Sequence, residues 1–221
     1  MTTDRIESVI KELINNYYRP EPMQADEFSA FHWPKLIPLM RFQTERFEIP
    51  GLGRAALVKS KAMGAVHMLT LMVSPSEGVS VPLLKVEAME TKGKSTVFIE
   101  YYDCTANGTD MSGFETVSEK YSSLVDYPEK AAWYIDKRSK GSVSKFALEN
   151  EAEQLVGLVR DSVDAYMKAS QAVDADPENR KGLSDFCEWV INEGMPLYES
   201  FSKILGKSKA DTFFRETILS K

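Results

Sequence analysis

The sequence predicts an α/β protein, a three-layer α/β/α sandwich with a central antiparallel sheet, and three observations carry that expectation. An amphipathic helical segment stands first, short alternating runs broken by turn residues fill residues 36–103, and helical periodicity returns from about Leu148. Helix, then sheet, then helices gives the sheet two apolar faces and supplies helices to cover both.

In the first segment Ile6, Val9, Ile10, Leu13, Ile14 and Tyr17 recur at helical spacing, and Pro20 and Pro22 end it. Breaks at Pro50-Gly51, Gly64, Pro75 and Lys92-Gly93-Lys94 divide the next region into roughly five strands of a meander. In the strand after Pro82, Leu84, Val86 and Ala88 face one way, while Leu83, Lys85 and Glu87 face the other. Residues 105–113 are polar and contain glycine, as a loop does. Leu148, Ala152, Leu155, Val156, Val159, Val163, Tyr166 and Met167 then stripe a long amphipathic helix that needs a sheet to cover. A further helix is expected to open at Asp176 with Pro177 in its first position, carrying Phe186, Trp189 and Val190 on one face. The last is expected near Ser208, with Ser208 and Asp211 approximating a capping box and Phe213, Phe214, Ile218 and Leu219 buried. No internal repeat is visible, and residues 1–221 read as one domain.

Composition narrows the function classes. A chain of 221 residues with 43% hydrophobic and 27% charged content suits a single core. With 27 Lys and Arg against 33 Asp and Glu, the formal charge of −6 argues against nucleic acid as a partner. Cys104 and Cys187 lack a CxxC spacing, so neither a disulfide framework nor a zinc or iron–sulfur site is expected, and a reducing cytoplasm fits. Residues 1–16 carry charges throughout, and no run approaches the ~18 apolar residues of a membrane span, so a soluble, unexported chain is expected. There is no dinucleotide fingerprint, phosphate loop, Gly-x-Ser-x-Gly elbow or HExxH, and only His32 and His67 among histidines. A tightly bound redox cofactor is therefore not expected; in redox chemistry the electrons would come from outside and side chains would supply protons.

The residue with most chemical content is Glu87. If its strand face is covered, desolvation raises the carboxyl's pKa and makes it a proton donor near neutral pH. If the face is open to water, Glu87 pairs with Lys85 or a neighbouring strand.

The segments Arg46-Phe47-Glu48-Ile49-Pro50 followed by Arg54, then residues 69–75, then Val81-Pro82-Leu83-Leu84-Lys85-Val86-Glu87, resemble the central strands of the ferredoxin-dependent bilin reductases. Asn192-Glu193, Gly194-Met195, Lys203-Ile204-Leu205-Gly206, Phe213-Phe214 and Ile218-Leu219 are similar to that family's terminal pattern, and Trp133 falls in order between them. The resemblance places Glu87 at the aspartate that protonates the bilin and Glu193 at a helix acid, a possible second donor beside Asn192. Where phycocyanobilin-forming members carry a strand histidine, ungapped spacing reaches Thr70. His67 lies three residues earlier, on the opposite face unless a bulge turns it. Lys59 falls near another family acid, which would make the pocket more cationic. Glu in place of Asp at position 87 resembles red chlorophyll catabolite reductase, a more distant relative.

The resemblance implies a monomer that reduces a linear tetrapyrrole, biliverdin or a related bilin, with external reduced ferredoxin as donor. Its catalytic candidates are Glu87, Glu193, Thr70 and His67. Lys59, Lys85, Lys130, Lys137, Arg138 and Asn192 are its substrate-binding candidates, basic groups suiting propionates. An acidic ferredoxin would dock on Lys203, Lys207 and Lys209, or on Lys137, Arg138, Lys140 and Lys145. A reductase of a chlorophyll catabolite and a bilin-binding protein without chemistry remain open beside it.

Overall fold

The computed structural model describes residues 1–33, 39–62, 66–76, 78–173 and 182–219. It opens with α1 (Thr2–Tyr17) and continues through β1 (Glu21–Pro22), β2 (Ala30–Trp33), β3 (Met40–Ile49), β4 (Gly53–Ala62), β5 (Val66–Pro75), β6 (Leu83–Thr91) and β7 (Lys94–Tyr102). Then come α2 (Ser112–Lys120), β8 (Val125–Asp126), α3 (Trp133–Asp136), β9 (Val143–Leu148), α4 (Ala152–Ala172), α5 (Leu183–Glu193), α6 (Pro196–Leu205) and α7 (Lys207–Phe214), closed by a π-helical turn, Arg215–Leu219.

The strands form one antiparallel sheet in the order β1-β3-β4-β5-β6-β7-β9-β8, with β2 also pairing with β3. The five-strand meander is β3 to β7. Its register is set by tight turns: Lys92-Gly93 links β6 to β7 with Thr91 opposite Lys94, and Gly93 takes φ 76°, which glycine adopts without a Cβ clash. Strand alternation divides the core in two. Leu71, Leu84, Val86, Val97 and Ile99 pack with α1, α2 and α4. Phe42, Val58, Met72, Leu83 and Tyr102 pack with α5, α6 and α7 on the other face. That is the expected three-layer sandwich.

Several local expectations differ. The expected helix start at Asp176 and Pro177 and the break at Gly64 lie outside the described residues. Trp189 is 41% exposed while Phe186 and Val190 are buried, because the α5 face centred on Cys187 and Val190 leaves Trp189 at its edge. No capping box forms at Ser208: Gly206 caps α7, and the Asp211 carboxylate bonds the Tyr198 hydroxyl and Lys207 instead. Leu148 ends strand β9 rather than lying in the long helix.

Candidate functional site

The two faces of the sheet are covered unequally. On the α1 and α4 side, the rung Leu69, Ala88, Val97 is sealed, with Leu69 and Ala88 each 2% exposed. One residue along, on the other side, Met68, Met89 and Phe146 are only half-buried, as is Phe98 next to them. The C-terminal helices explain this: the closing π turn packs on β4 and β5, and the buried cluster with α5 to α7 reaches β6 and β7 at the Leu83 and Tyr102 end. The Met89 end of β6 is left as an apolar floor, edged by Tyr127, whose ring meets Phe98 edge-on at 5.2 Å.

Glu87 stands where that floor meets a buried charge cluster. Its direct cross-strand neighbours are Thr70, 2% exposed, and Phe98. The Lys85 ammonium lies 3.1 Å from the Glu87 carboxylate and 2.8 Å from that of Glu100. Lys85 and Glu100 face each other across β6 and β7, so the hairpin register makes the pair. The second Glu100 oxygen receives Arg138, and the Tyr102 hydroxyl donates to Glu100 Oε2 at 3.2 Å. Arg138 forks onto Glu129 at 2.6 and 2.8 Å, and the Ser144 hydroxyl donates to Glu129 at 2.6 Å.

The cluster is dry: the Lys85, Glu100 and Arg138 side chains are 6%, 1% and 9% exposed, against 12% for Glu87. Burial alone would lower the Lys85 pKa, but the charges of Glu100 and then Glu87 outweigh it and hold Lys85 above its ordinary value. Burial, then the Glu100 charge, pushes the Tyr102 hydroxyl up. For Glu129 burial pulls upward, and the hydrogen bonds from Arg138 and Ser144 overcome it, leaving its carboxyl below the usual range. Three carboxylates, Glu87, Glu100 and Glu129, thus share two cations, Lys85 and Arg138. The cluster has one carboxylate more than it has cations, and Glu87 is its member at the edge of the floor.

Of the expected site residues, Glu87, Thr70, Lys85 and Arg138 come together. Arg138 belongs to the foundation of the site rather than to its mouth, since both its ends are engaged by buried carboxylates. His67 lies on the opposite face with no bulge to turn it, between Lys61 and Glu90 in the ladder. Lys59 also lies on that opposite face, tied to Glu7 of α1 at 2.9 Å, so it does not make the Glu87 side cationic. Lys130, Asn192 and Glu193 are exposed, and Glu193 ends α5 without joining the cluster. The turn after it is anchored, because Trp133 Nε1 donates to the Gly194 carbonyl at 2.6 Å. Lys137 lies 4.5 Å over the Trp189 ring, beside a hollow of 380 Å³ that Tyr102 also lines. Neither this hollow nor a larger one of 760 Å³ at the α1 N-terminus includes Glu87 in its lining. Sequence reasoning missed Glu100, Tyr102, Glu129 and Ser144. Among the described residues, no group of His, Cys, Asp and Glu side chains is placed to hold a metal ion, and no helix is long and apolar enough to cross a membrane.

No family model and no curated sequence matches the chain. Among solved structures, its fold is similar to that of phytochromobilin synthase from tomato, crystallised in complex with biliverdin. The TM-score is 0.73 at 13% identity, over 99% of this chain and 82% of that one. At that identity the likeness establishes the fold.

Proposed function

We propose that this protein reduces a linear tetrapyrrole, biliverdin or a related bilin, with electrons from ferredoxin and a proton from Glu87. The observation that carries the proposal is Glu87 at the junction of a half-open floor of Met68, Met89, Phe98 and Phe146 with a buried acid-rich cluster. A flat conjugated ligand suits an apolar floor, and a proton donor at its edge suits a substrate that becomes basic on reduction. The likeness to a protein solved with biliverdin supports the same substrate class.

The chemistry balances as two electrons and two protons per double bond. One reduced carrier gives an electron, and the tetrapyrrole radical so formed takes the Glu87 proton on carbon. A second carrier gives the second electron, and a second proton, drawn from solvent, completes the saturated bond. Lys85 then compensates the carboxylate left on Glu87, 3.1 Å away. Thr70, packed beside Glu87, is the residue at the position where phycocyanobilin-forming members of the resembled family carry a histidine, so the proton donor here acts without an imidazole partner at that position.

Two observations favour alternatives. Glu at position 87 fits an open-chain chlorophyll catabolite as substrate, and Thr70 in place of histidine fits a bilin-binding protein that performs no reduction. One experiment separates all three: titrate biliverdin and a chlorophyll catabolite, follow the absorption spectrum, then add reduced ferredoxin. We expect biliverdin to bind and be reduced. Glu87→Gln should retain the binding spectrum while turnover falls by about 10²-fold or more, the general-acid contribution. Unchanged turnover in that variant removes Glu87 from the mechanism, and binding without reduction in the wild type selects the binding protein.

A further inference from the structure

Among the described exposed cations that make no ion pair, Arg19, Lys130, Lys137 and Lys203 come from separate segments, whereas four others gather at one end of the sheet. Of the two patches expected to dock ferredoxin, the first has Lys207 on Asp211 and Lys209 on Glu27. In the second, Lys140 is on Glu115, and Lys145 and Arg138 are on Asp126 and Glu129. Lys203 in the first patch and Lys137, over the Trp189 ring, in the second make no ion pair, so each patch keeps a single unpaired cation.

At one end of the sheet the pattern reverses. Arg41, Lys61, Lys92 and Lys94 are exposed and make no ion pair among the described residues. The strand ladder brings them together: Arg41 faces Lys61, Lys61 faces His67, His67 faces Glu90, and the next position joins Thr91 to Lys94 across the hairpin. Like charges directly opposite in a sheet are destabilising, so Arg41 beside Lys61 is a cost the fold carries there. The acids nearby are occupied: Glu90 accepts from the Thr3 backbone and hydroxyl, and Glu7 holds Lys11 and Lys59. The patch borders the 760 Å³ hollow, which Arg41, Lys61, His32 and His67 help to line.

We propose that this strand-end patch is the docking surface for an acidic redox protein that delivers electrons to a substrate lying over Glu87. The inference rests on the reductase reading. Charge complementarity selects an acidic partner on a protein of net charge −6. Position selects an electron donor: from Glu90, at the patch, β6 runs inward to Glu87 over about 10 Å at ~3.3 Å per residue. The register puts Arg41 and Lys61 on the α1 face and the floor of Met68, Met89 and Phe98 on the other, and the two meet around the strand end, where Lys92 and Lys94 of the hairpin stand beyond Met89.

The test uses the full chain and a plant-type ferredoxin. Lys61→Glu, Lys92→Glu and Lys94→Glu are combined in one variant, and Lys203→Glu serves as a comparison on the surface first expected. Ferredoxin binding is measured by calorimetry without turnover at low and raised salt, biliverdin binding by absorption, and reduction with ferredoxin or with a small viologen donor. The triple variant should bind ferredoxin at least about tenfold more weakly at low salt, and wild-type binding should weaken as salt rises. Biliverdin binding and viologen-driven reduction should be unchanged, and Lys203→Glu should behave as wild type. Wild-type affinity in the triple variant, loss confined to Lys203→Glu, or no ferredoxin binding by the wild type overturns the docking surface. Patch-dependent ferredoxin binding without reduction by either donor instead overturns the reductase reading and leaves the surface standing.

Discussion

Glu100 is the side chain on which the charge cluster depends, since it alone meets Lys85, Arg138 and the Tyr102 hydroxyl. Glu100→Ala leaves Lys85 with Glu87 alone and takes one of Arg138's two carboxylates away in a dry layer, and should cost about 3–5 kcal/mol, read as a fall in the urea midpoint. Replacing both members of the cross-strand pair, Lys85→Met with Glu100→Leu, should recover most of that loss, because an apolar pair of similar volume needs no counter-charge. The same double variant should still lose turnover, because Glu87 no longer has an ammonium beside it; full activity would show that the cluster serves stability alone. Part of this site is readable in the residue order. Alternation puts Glu87 and Lys85 on one face and His67 on the other, as the strands have them. Counting back from the two-residue turn at Lys92-Gly93 also sets Lys85 opposite Glu100, a step the alternation of one strand alone does not give. Arg138 and Glu129 are not readable that way, since they come from the connection between β8 and β9 and reach the cluster through tertiary packing.

At the scale of elements, long periodic segments declare themselves and short ones do not. The helix α4 and the five meander strands have enough residues for a period to show, whereas β1 and β8 are two residues each and exist because a neighbouring strand offers free backbone groups. Helix α2 is short and buries only Phe114, so its apolar signal is one residue. That residue also makes α2 sensitive to a glycine outside it. Gly141 has φ 81°, and a Cβ there would lie 2.6 Å from Phe114 Cβ and 2.7 Å from the Phe114 carbonyl carbon. Gly141→Ala must therefore strain its backbone or push α2 off Tyr101, against which the Phe114 ring is stacked at 4.3 Å. A cost of about 1–3 kcal/mol is expected, visible as a lowered thermal midpoint. Gly113→Ala, where a Cβ would meet nothing within 4 Å, is the control that should melt close to wild type.

For the whole molecule, the layers are tied by ion pairs and buried phenols that titrate at opposite ends of the pH scale. On the acid side, Glu7 links α1 to the sheet, Asp164 of α4 holds Tyr17 of α1, and Glu129 holds Arg138 under the candidate site. Burial raises each of these pKa values, but the partners prevail: Lys11 and Lys59 for Glu7, Lys168 and Tyr17 for Asp164, Arg138 and Ser144 for Glu129. A carboxyl whose folded pKa is depressed stabilises the fold fully above its unfolded value, 4.5 for Glu and 3.8 for Asp, and loses that contribution as pH falls through the folded value. On the alkaline side, Lys85 is held above 10.5 and burial lifts Tyr101 and Tyr102 above 10.0, so their contributions are complete below those unfolded values and decline above them. Stability should therefore be flat from about pH 5 to 9, falling on both sides, which urea unfolding across the pH range would trace. Glu129→Gln decides which groups make the acid limb. Removing that carboxyl should lower the plateau and make the fall below pH 4.5 shallower, since one fewer depressed group takes up a proton there. An acid limb of unchanged steepness would mean that the Glu129 pair contributes nothing to it, and that the pairs binding α1 to its neighbours carry the acid sensitivity of the fold.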